Sequence, residues 1–274
     1  MEDLEGRVAV VTGASTGIGQ SAARSFAAAG MKVVMASQNA DRLAAAVEEL
    51  RATGADVLGV PTDVGREDEV FALAEATIEA YGAAHVLVNN AGVFAPGYLW
   101  EISRTDWEWV VDVNLWGPIH GIRAFMPHLL EQDEAHVVNV SSAGGLMPAT
   151  VHGPYCTTKH AVVGLSKALR ADLAHKGANI GVTLVCPGAV RTAITSQIQT
   201  TGPGGVPRGE MGVSPEVEAT FGSILDYTDA GIPSDDVGEM ILTAVRENRF
   251  WLLPNGEVFH PIFEQELADL EAGR

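Results

Sequence analysis

One stretch of the chain holds a hydroxyl, a phenol and an amine at spacings that can move a proton: Ser142, Tyr155 and Lys159, all within residues Asn139 to Lys159. After Pro154, apolar residues recur at Ala161, Val162, Leu165, Leu169 and Leu173, the period of a helix that begins near Tyr155. Tyr155 and Lys159 therefore stand at i and i+4 on one helix face, with Cβ atoms about 5–6 Å apart. An ammonium that close favours phenolate over phenol, which predicts that Tyr155 is drawn down from its usual pKa of about 10 toward the range of a general acid or base. Such a pair can take a proton from an alcohol or return one to a ketone.

Ser142 follows the apolar run His136 to Ser141, which reads as a buried parallel strand. A hydroxyl at the carboxyl end of such a strand faces the crevice where doubly wound sheets bind ligands, within reach of a substrate oxygen. Ser-Ser-Ala-Gly-Gly is equally the composition of a plain loop, and Tyr and Lys four residues apart recur by chance. The elements that would position these groups carry the next step.

Residues Arg7 to Gly30 read as a short apolar strand, a glycine turn and an amphipathic helix ended by glycine. A helix that starts at the turn offers amide groups and its dipole to a pyrophosphate, which an acidic protein would not attract by surface charge. The spacing Gly13-x-x-x-Gly17-x-Gly19 departs from the G-x-G-x-x-G dinucleotide fingerprint.

Together the two stretches resemble the short-chain dehydrogenase/reductase family. Its glycine motif Thr-Gly-x-x-x-Gly-x-Gly matches Thr12 to Gly19, and its Tyr-x-x-x-Lys with an upstream serine matches Tyr155, Lys159 and Ser142. Asn89-Asn90-Ala91-Gly92 matches the family's Asn-Asn-Ala-Gly, and Asn114 matches its catalytic asparagine. Asp63-Val64 is similar to its adenine contact, and Pro187 to Thr192 to the segment beside the nicotinamide. The resemblance implies an NAD(P)-binding, Rossmann-like α/β fold with a doubly wound parallel sheet in one domain spanning residues 1–274. It implies Asn114, Ser142, Tyr155 and Lys159 as catalytic residues. Gly13, Ser15, Thr16, Gly17, Ile18, Gly19, Asn90, Ala91, Gly92, Pro187, Gly188, Val190 and Thr192 would line the cofactor, with Tyr155 and Lys159 at its reactive end. In this family Lys159 would also hold the nicotinamide ribose, and Asn114 would support a proton relay through water.

The remaining chain fits that reading. Strands at Met31–Ala36, Asp56–Val60 and His85–Val88 alternate with helices at about Asp41–Thr53 and Glu67–Tyr81, the rhythm of a parallel sheet covered on both faces. In a dinucleotide fold an acidic residue after the second strand binds the ribose 2′-hydroxyl, and a basic one accommodates the 2′-phosphate of NADP. Here Ser37, Gln38 and Asn39 offer no carboxylate, Thr16 precedes Gly17, and Arg42 follows on the next helix. The expectation leans to NADP over NAD.

Composition narrows the function classes. With 17 basic against 35 acidic residues, a net charge of −18, the chain lacks the lysine and arginine clusters that nucleic acid or an anionic membrane would require. No apolar run reaches the roughly 18 residues of a membrane span, and the acidic start is unlike a secretion signal, so a cytoplasmic protein is expected. Cys156 and Cys186 read as packing residues, and the eight histidines show no metal-ligand spacing, so no metal is expected. His152, three residues before Tyr155, is the one histidine near the reactive groups, and it also reads as a solvated loop residue.

Trp100, Trp107, Trp109 and Trp116 crowd around an expected helix from Asp106 to Leu130, which reads as core or subunit interface. The resemblance implies a homodimer or homotetramer built through this helix and the one after Tyr155. From Thr192 to about Asp235 the chain is rich in Gly, Pro, Ser and Thr, which suggests a substrate lid with Ile194, Ile198, Met211, Phe221, Ile224 and Leu225 on its inner wall. That wall suits a bulky, apolar secondary alcohol or ketone. Ser234 to Asn248 reads as a helix capped by Ser234 or Asp235, Arg249 to Pro254 as a last strand, and the acidic tail from Glu264 as a terminal or frayed helix. Two other classes stay open. One is a catalytically silent dinucleotide sensor, which would usually lack part of the catalytic set. The other is a sugar epimerase, which would carry a different glycine turn.

Overall fold

In the computed structural model, which describes residues 1–192 and 214–273, the sheet is built from β1 (Val8–Thr12), β2 (Lys32–Ser37), β3 (Val57–Pro61), β4 (Val86–Asn89), β5 (Ala135–Val140), β6 (Ile180–Val185) and β9 (Trp251–Leu252). Every pairing is parallel, in the order β3-β2-β1-β4-β5-β6-β9. The strands are apolar runs because both faces are covered. Ala9 and Val11 point into a layer with Phe26, Val237 and Ile241, while Val8 and Val10 point into one with Leu73, Phe125 and Leu129. Each large side chain buried in this way contributes about 1.5–3 kcal/mol.

The first layer comes from α1 (Gly17–Ala28), α2 (Ala40–Arg51) and α8 (Ser234–Arg246), the second from α3 (Glu67–Tyr81), α5 (Gly117–Leu129) and α6 (Gly153–Lys176). Because the chain crosses from the β3 edge back to β4 on the other side of β1, the loops after β1 and β4 diverge and open a crevice at the carboxyl ends of the strands. A two-stranded pairing of β7 (Val190–Arg191) with β8 (Ile232–Pro233) borders it, and α9 (His260–Glu271) follows the last strand. Among the described residues no helix is long and apolar enough to cross a membrane.

Three expectations need correction. The helix read from Asp106 to Leu130 is interrupted: α4 (Arg104–Val111) passes through a π turn, Asp112–Trp116, before α5 begins. The Gly117 amide bonds to the Asp112 carbonyl five residues back, and Pro118 has no N–H to offer the Asn114 carbonyl four residues back. The segment from Thr192 to about Asp235, in which no regular period is expected among the glycines and prolines, contains a helix, α7 (Pro215–Asp229), started by the Ser214 hydroxyl, which accepts a hydrogen bond from Val217 N at 3.4 Å. Its buried Val217 and Phe221 supply the i, i+4 period that the surrounding glycines and prolines obscure. Ile194, Ile198 and Met211, by contrast, lie outside the described residues. Finally, Ser234 and Asp235 do not cap α8, whose N-cap is Pro233, because the Ser21 hydroxyl holds both side chains, at 3.1 and 2.8 Å.

Two of the crowded tryptophans, Trp100 and Trp116, are exposed on the single chain rather than packed in its core. Both cysteines are free thiols; burial raises Cys156 above its ordinary value and pushes Cys186 up to about 12.

Candidate active site

The crevice begins at the glycine turn. Gly13 and Gly17 adopt φ of 63° and 58°, a region in which a side chain would be strained. A Cβ on Gly13 would stand 2.8 Å from Ala91 Cα, and one on Gly19 would run into the Asn90 amide and the Gly13 carbonyl. Thr12 explains the closeness: its hydroxyl donates to Val88 O (3.2 Å) and accepts from Asn90 N (3.0 Å) and Ala91 N (3.2 Å), while Asn90 Nδ2 donates to Thr12 O (2.9 Å). The loops after β1 and β4 are thereby joined into one floor. Gly19→Ala is expected to destabilise the fold by about 1–3 kcal/mol through overpacking, and to weaken cofactor binding by about tenfold or more. Thermal unfolding and a cofactor titration check both.

At the far end of the crevice, Ser15 and Ser37 share a hydrogen bond of 2.9 Å, and Gln38 Nε2 donates to Asp63 Oδ2 at 2.9 Å. The other Asp63 oxygen accepts from Gly65 N at 3.0 Å. Arg42 lines the same end, and its guanidinium makes no ion pair among the described residues.

At the near end stand the reactive groups. Tyr155 and Lys159 occupy the first turns of α6, where the backbone donor that Pro154 lacks would have no intrahelical acceptor. The Ser142 hydroxyl accepts from Gly144 N at 3.1 Å and stands near enough to Tyr155 to lower its pKa. Lys159 Nζ lies 5.6 Å from the Tyr155 ring centroid and donates to the Val140 carbonyl of β5 at 2.9 Å. Gly92 is where the set converges, because a Cβ there would lie 3.5 Å from Lys159 Nζ and 3.6 Å from Asn114 Oδ1.

The expectation that Lys159 draws the phenol down is corrected here. Burial raises the Tyr155 phenol above its ordinary value, the neighbouring Ser142 hydroxyl pulls it back, and Lys159 has no resolved influence. Burial also lowers Lys159, to about 8, since its ammonium has left water and, among the described residues, donates only to the Val140 carbonyl.

Asn114 is fully buried, in the π turn, behind this group. Its side chain accepts from Val93 N (2.8 Å) and donates to Val93 O (2.9 Å) and to the Thr158 hydroxyl (3.3 Å). It therefore ties the loop after β4 to α6, and its carboxamide is already committed.

A cleft of about 470 Å³, within the usual range for small-molecule sites, takes in every site residue expected from the sequence except Gly19 and Asn114, which support it from beneath. Its reactive end carries an aromatic wall that sequence reasoning only partly found. Phe94 contacts His152 with ring centroids 4.6 Å apart, Tyr155 at 5.4 Å and Phe221 at 5.9 Å, and Met147, Ile224, Tyr227 and Phe259 complete the surface. Phe94 was recoverable as the first large side chain after Asn-Asn-Ala-Gly. Phe259 carried no signal, because it reaches the cleft from beyond β9, where its ring fills the space a side chain on Gly188 would need.

Comparison with known proteins finds relatives along the whole chain. The short chain dehydrogenase profile matches residues 7–202. A short-chain dehydrogenase/reductase from Burkholderia phymatum, solved in complex with NAD, is 39% identical with a TM-score of 0.95, the match covering 100% of this chain and 97% of that one. LigO from Sphingobium sp. strain SYK-6, in its apo form, is 31% identical with a TM-score of 0.81, over 100% of this chain and 92% of that one. The 1-deoxy-11-beta-hydroxypentalenate dehydrogenase of Streptomyces exfoliatus is 33% identical over 257 residues, 93% of this chain and 85% of that protein.

Proposed function

Because the chain belongs to the short-chain dehydrogenase/reductase family and is an NAD(P)-dependent oxidoreductase, we propose that it interconverts a neutral, bulky secondary alcohol and its ketone, with Tyr155 as the proton-exchanging residue. The observation that carries this reading is the convergence of Ser142, Tyr155 and Lys159, whose Nζ lies 5.6 Å from the Tyr155 ring centroid, at the end of a cleft that starts on a glycine turn. The glycine cradle fits a dinucleotide: backbone approaches closely there, and the start of α1 offers amides to a pyrophosphate. Gly13 to Gly19, Asn90 to Gly92, Asp63, Val64 and Pro187 to Thr192 would hold it. When bound, the nicotinamide supplies the hydride acceptor for an alcohol carbon or the donor for a ketone.

The chain's own groups do the rest. Ser142 orients the substrate oxygen against Tyr155, and Tyr155 takes or returns the hydroxyl proton. Lys159 stands beside the phenol and would hold the nicotinamide ribose, while Asn114 keeps the loop carrying Gly92 in register with α6 and supports the relay of the proton outward. The segment 192–235, including α7, serves as the substrate lid of a single 1–274 domain. Among the described residues the aromatic end of the cleft carries no cation other than Lys159, which favours an uncharged substrate. The silent-sensor alternative is disfavoured because Ser142, Tyr155 and Lys159 are all present and assembled.

NADP is the proposed preference, supported by Arg42, which makes no ion pair among the described residues, and by the absence of a carboxylate among Ser37, Gln38 and Asn39. NAD is the second reading, favoured by the Burkholderia relative solved with it. Titration of NADPH and NADH into the wild type and Arg42→Ala decides. The expected result is tighter NADPH binding, weakened about tenfold by Arg42→Ala while NADH is unaffected. Equal loss for both cofactors, or tighter NADH binding, reverses the assignment.

A cytoplasmic homodimer or homotetramer completes the proposal. Two free thiols support a reducing compartment, and the exposed Trp116 beside α5 supports association.

A further inference from the structure

His152 is the polar side chain of the aromatic wall that the reading above leaves without a task. Its Nδ1 lies 2.6 Å from the Thr150 carbonyl, which can only accept, so the proton sits on Nδ1 and Nε2 presents a bare lone pair. The ring lines the cleft, edge-on to Phe94 at 4.6 Å and 6.2 Å from the Tyr155 ring centroid. Burial lowers its pKa, which keeps that lone pair available at neutral pH. No described residue bonds Nε2. The backbone holds the ring in place at a cost: Val151, a β-branched residue, adopts φ of 58°, and its carbonyl accepts from Gly97 N at 3.1 Å, in a bridge that pairs Gly97 with His152. A neutral acceptor fixed in tautomer and position, facing an otherwise apolar wall, is built to meet a donor.

We propose that His152 is a specificity residue whose Nε2 accepts a hydrogen bond from a second hydroxyl on the substrate, a few bonds from the reacting carbinol. Diols and hydroxy-ketones are then preferred over substrates in which that hydroxyl is replaced by methyl. The discrimination arises because an apolar group would leave the imidazole nitrogen desolvated and unpaired. This inference rests on the reading of the site as an alcohol oxidoreductase with Tyr155 as its acid and base.

The test uses two pairs of aryl alcohols: 1-phenylethane-1,2-diol against 1-phenylpropan-1-ol, and 1-phenylpropane-1,3-diol against 1-phenylbutan-1-ol. Within each pair a hydroxyl is exchanged for a methyl of similar size. For wild type, kcat/KM is expected to favour the diol of at least one pair by about tenfold or more. In His152→Phe, which keeps a ring against Phe94, that ratio should fall to near one, and in His152→Gln, which restores an acceptor, it should partly return. For ketones that bind without turnover, dissociation constants measured with reduced cofactor present serve the same comparison. Equal values within both pairs for wild type, a ratio unchanged in His152→Phe, or no binding of any probe overturns the assignment. If Tyr155→Phe turns over the probes as well as wild type does, the underlying reading fails. If Tyr155→Phe is inactive and both members of each pair are used equally, only the role of His152 falls.

Discussion

Tyr155→Phe should lower kcat by a factor of about 10²–10⁴ while leaving cofactor affinity close to that of the wild type. The substitution removes one oxygen from a ring that stays packed against Phe94, so the cleft keeps its shape and loses only its proton carrier. The direction of the pH dependence follows from burial. In the protein alone the phenol is raised above its ordinary value, so Tyr155 carries its proton at neutral pH and is ready to act as an acid toward a ketone. Alcohol oxidation needs the deprotonated form and should therefore accelerate toward alkaline pH, whereas ketone reduction should slow there. Stopped-flow measurement in both directions across pH checks this. A residual rate in Tyr155→Phe that kept the wild-type pH dependence would show that another group moves the proton.

Lys159→Met should abolish useful turnover and yet make the protein harder to unfold. Lys159 is 3% exposed, bonded to one carbonyl, and lowered to about 8 by burial. In the unfolded chain the same amine titrates near 10.4. Between these values the unfolded state binds more protons than the folded one, so stability rises with pH across this window. Below about pH 8 both states carry the charge, and the folded protein bears the full cost of burying it. Methionine removes that cost but leaves the Val140 carbonyl unbonded, an offset of about 1–3 kcal/mol. The net gain is expected to be about 1–2 kcal/mol at pH 7, shrinking as pH climbs from 8 toward 10.5. Chemical denaturation at pH 7 and pH 9.5 reads the difference. A variant less stable than wild type at pH 7 would mean that the amine holds the fold together rather than straining it.

The parts of this molecule legible in its sequence are those fixed by local rules. Val8 to Val11 read as a strand because neither face could tolerate a polar residue, and Gly13, Gly17 and Gly19 read as a turn because backbones meet there. The relation of Tyr155 to Lys159 followed from helical geometry alone. Distant contacts were not legible. The pKa of Tyr155 depends on how much of the chain covers it, which spacing within α6 cannot report. The break at Asp112 depends on the missing donor of Pro118, two residues past the turn, and on the pairing of Asn114 with Val93. Helix α7 was hidden because composition was averaged over a long segment, which diluted Val217 and Phe221 among glycines and prolines.

The bond from Lys159 to Val140 has an evolutionary reading. It fastens the reactive face of α6 to a central strand, whereas Phe94, His152, Phe221 and Phe259 all come from loops, turns or the helix α7, outside the sheet. The machinery that makes and breaks bonds and the surface that selects its cargo are thus inherited on separate pieces of chain. Descendants of this gene can acquire new tastes by redrawing those segments, one substitution at a time, with the reaction itself left intact.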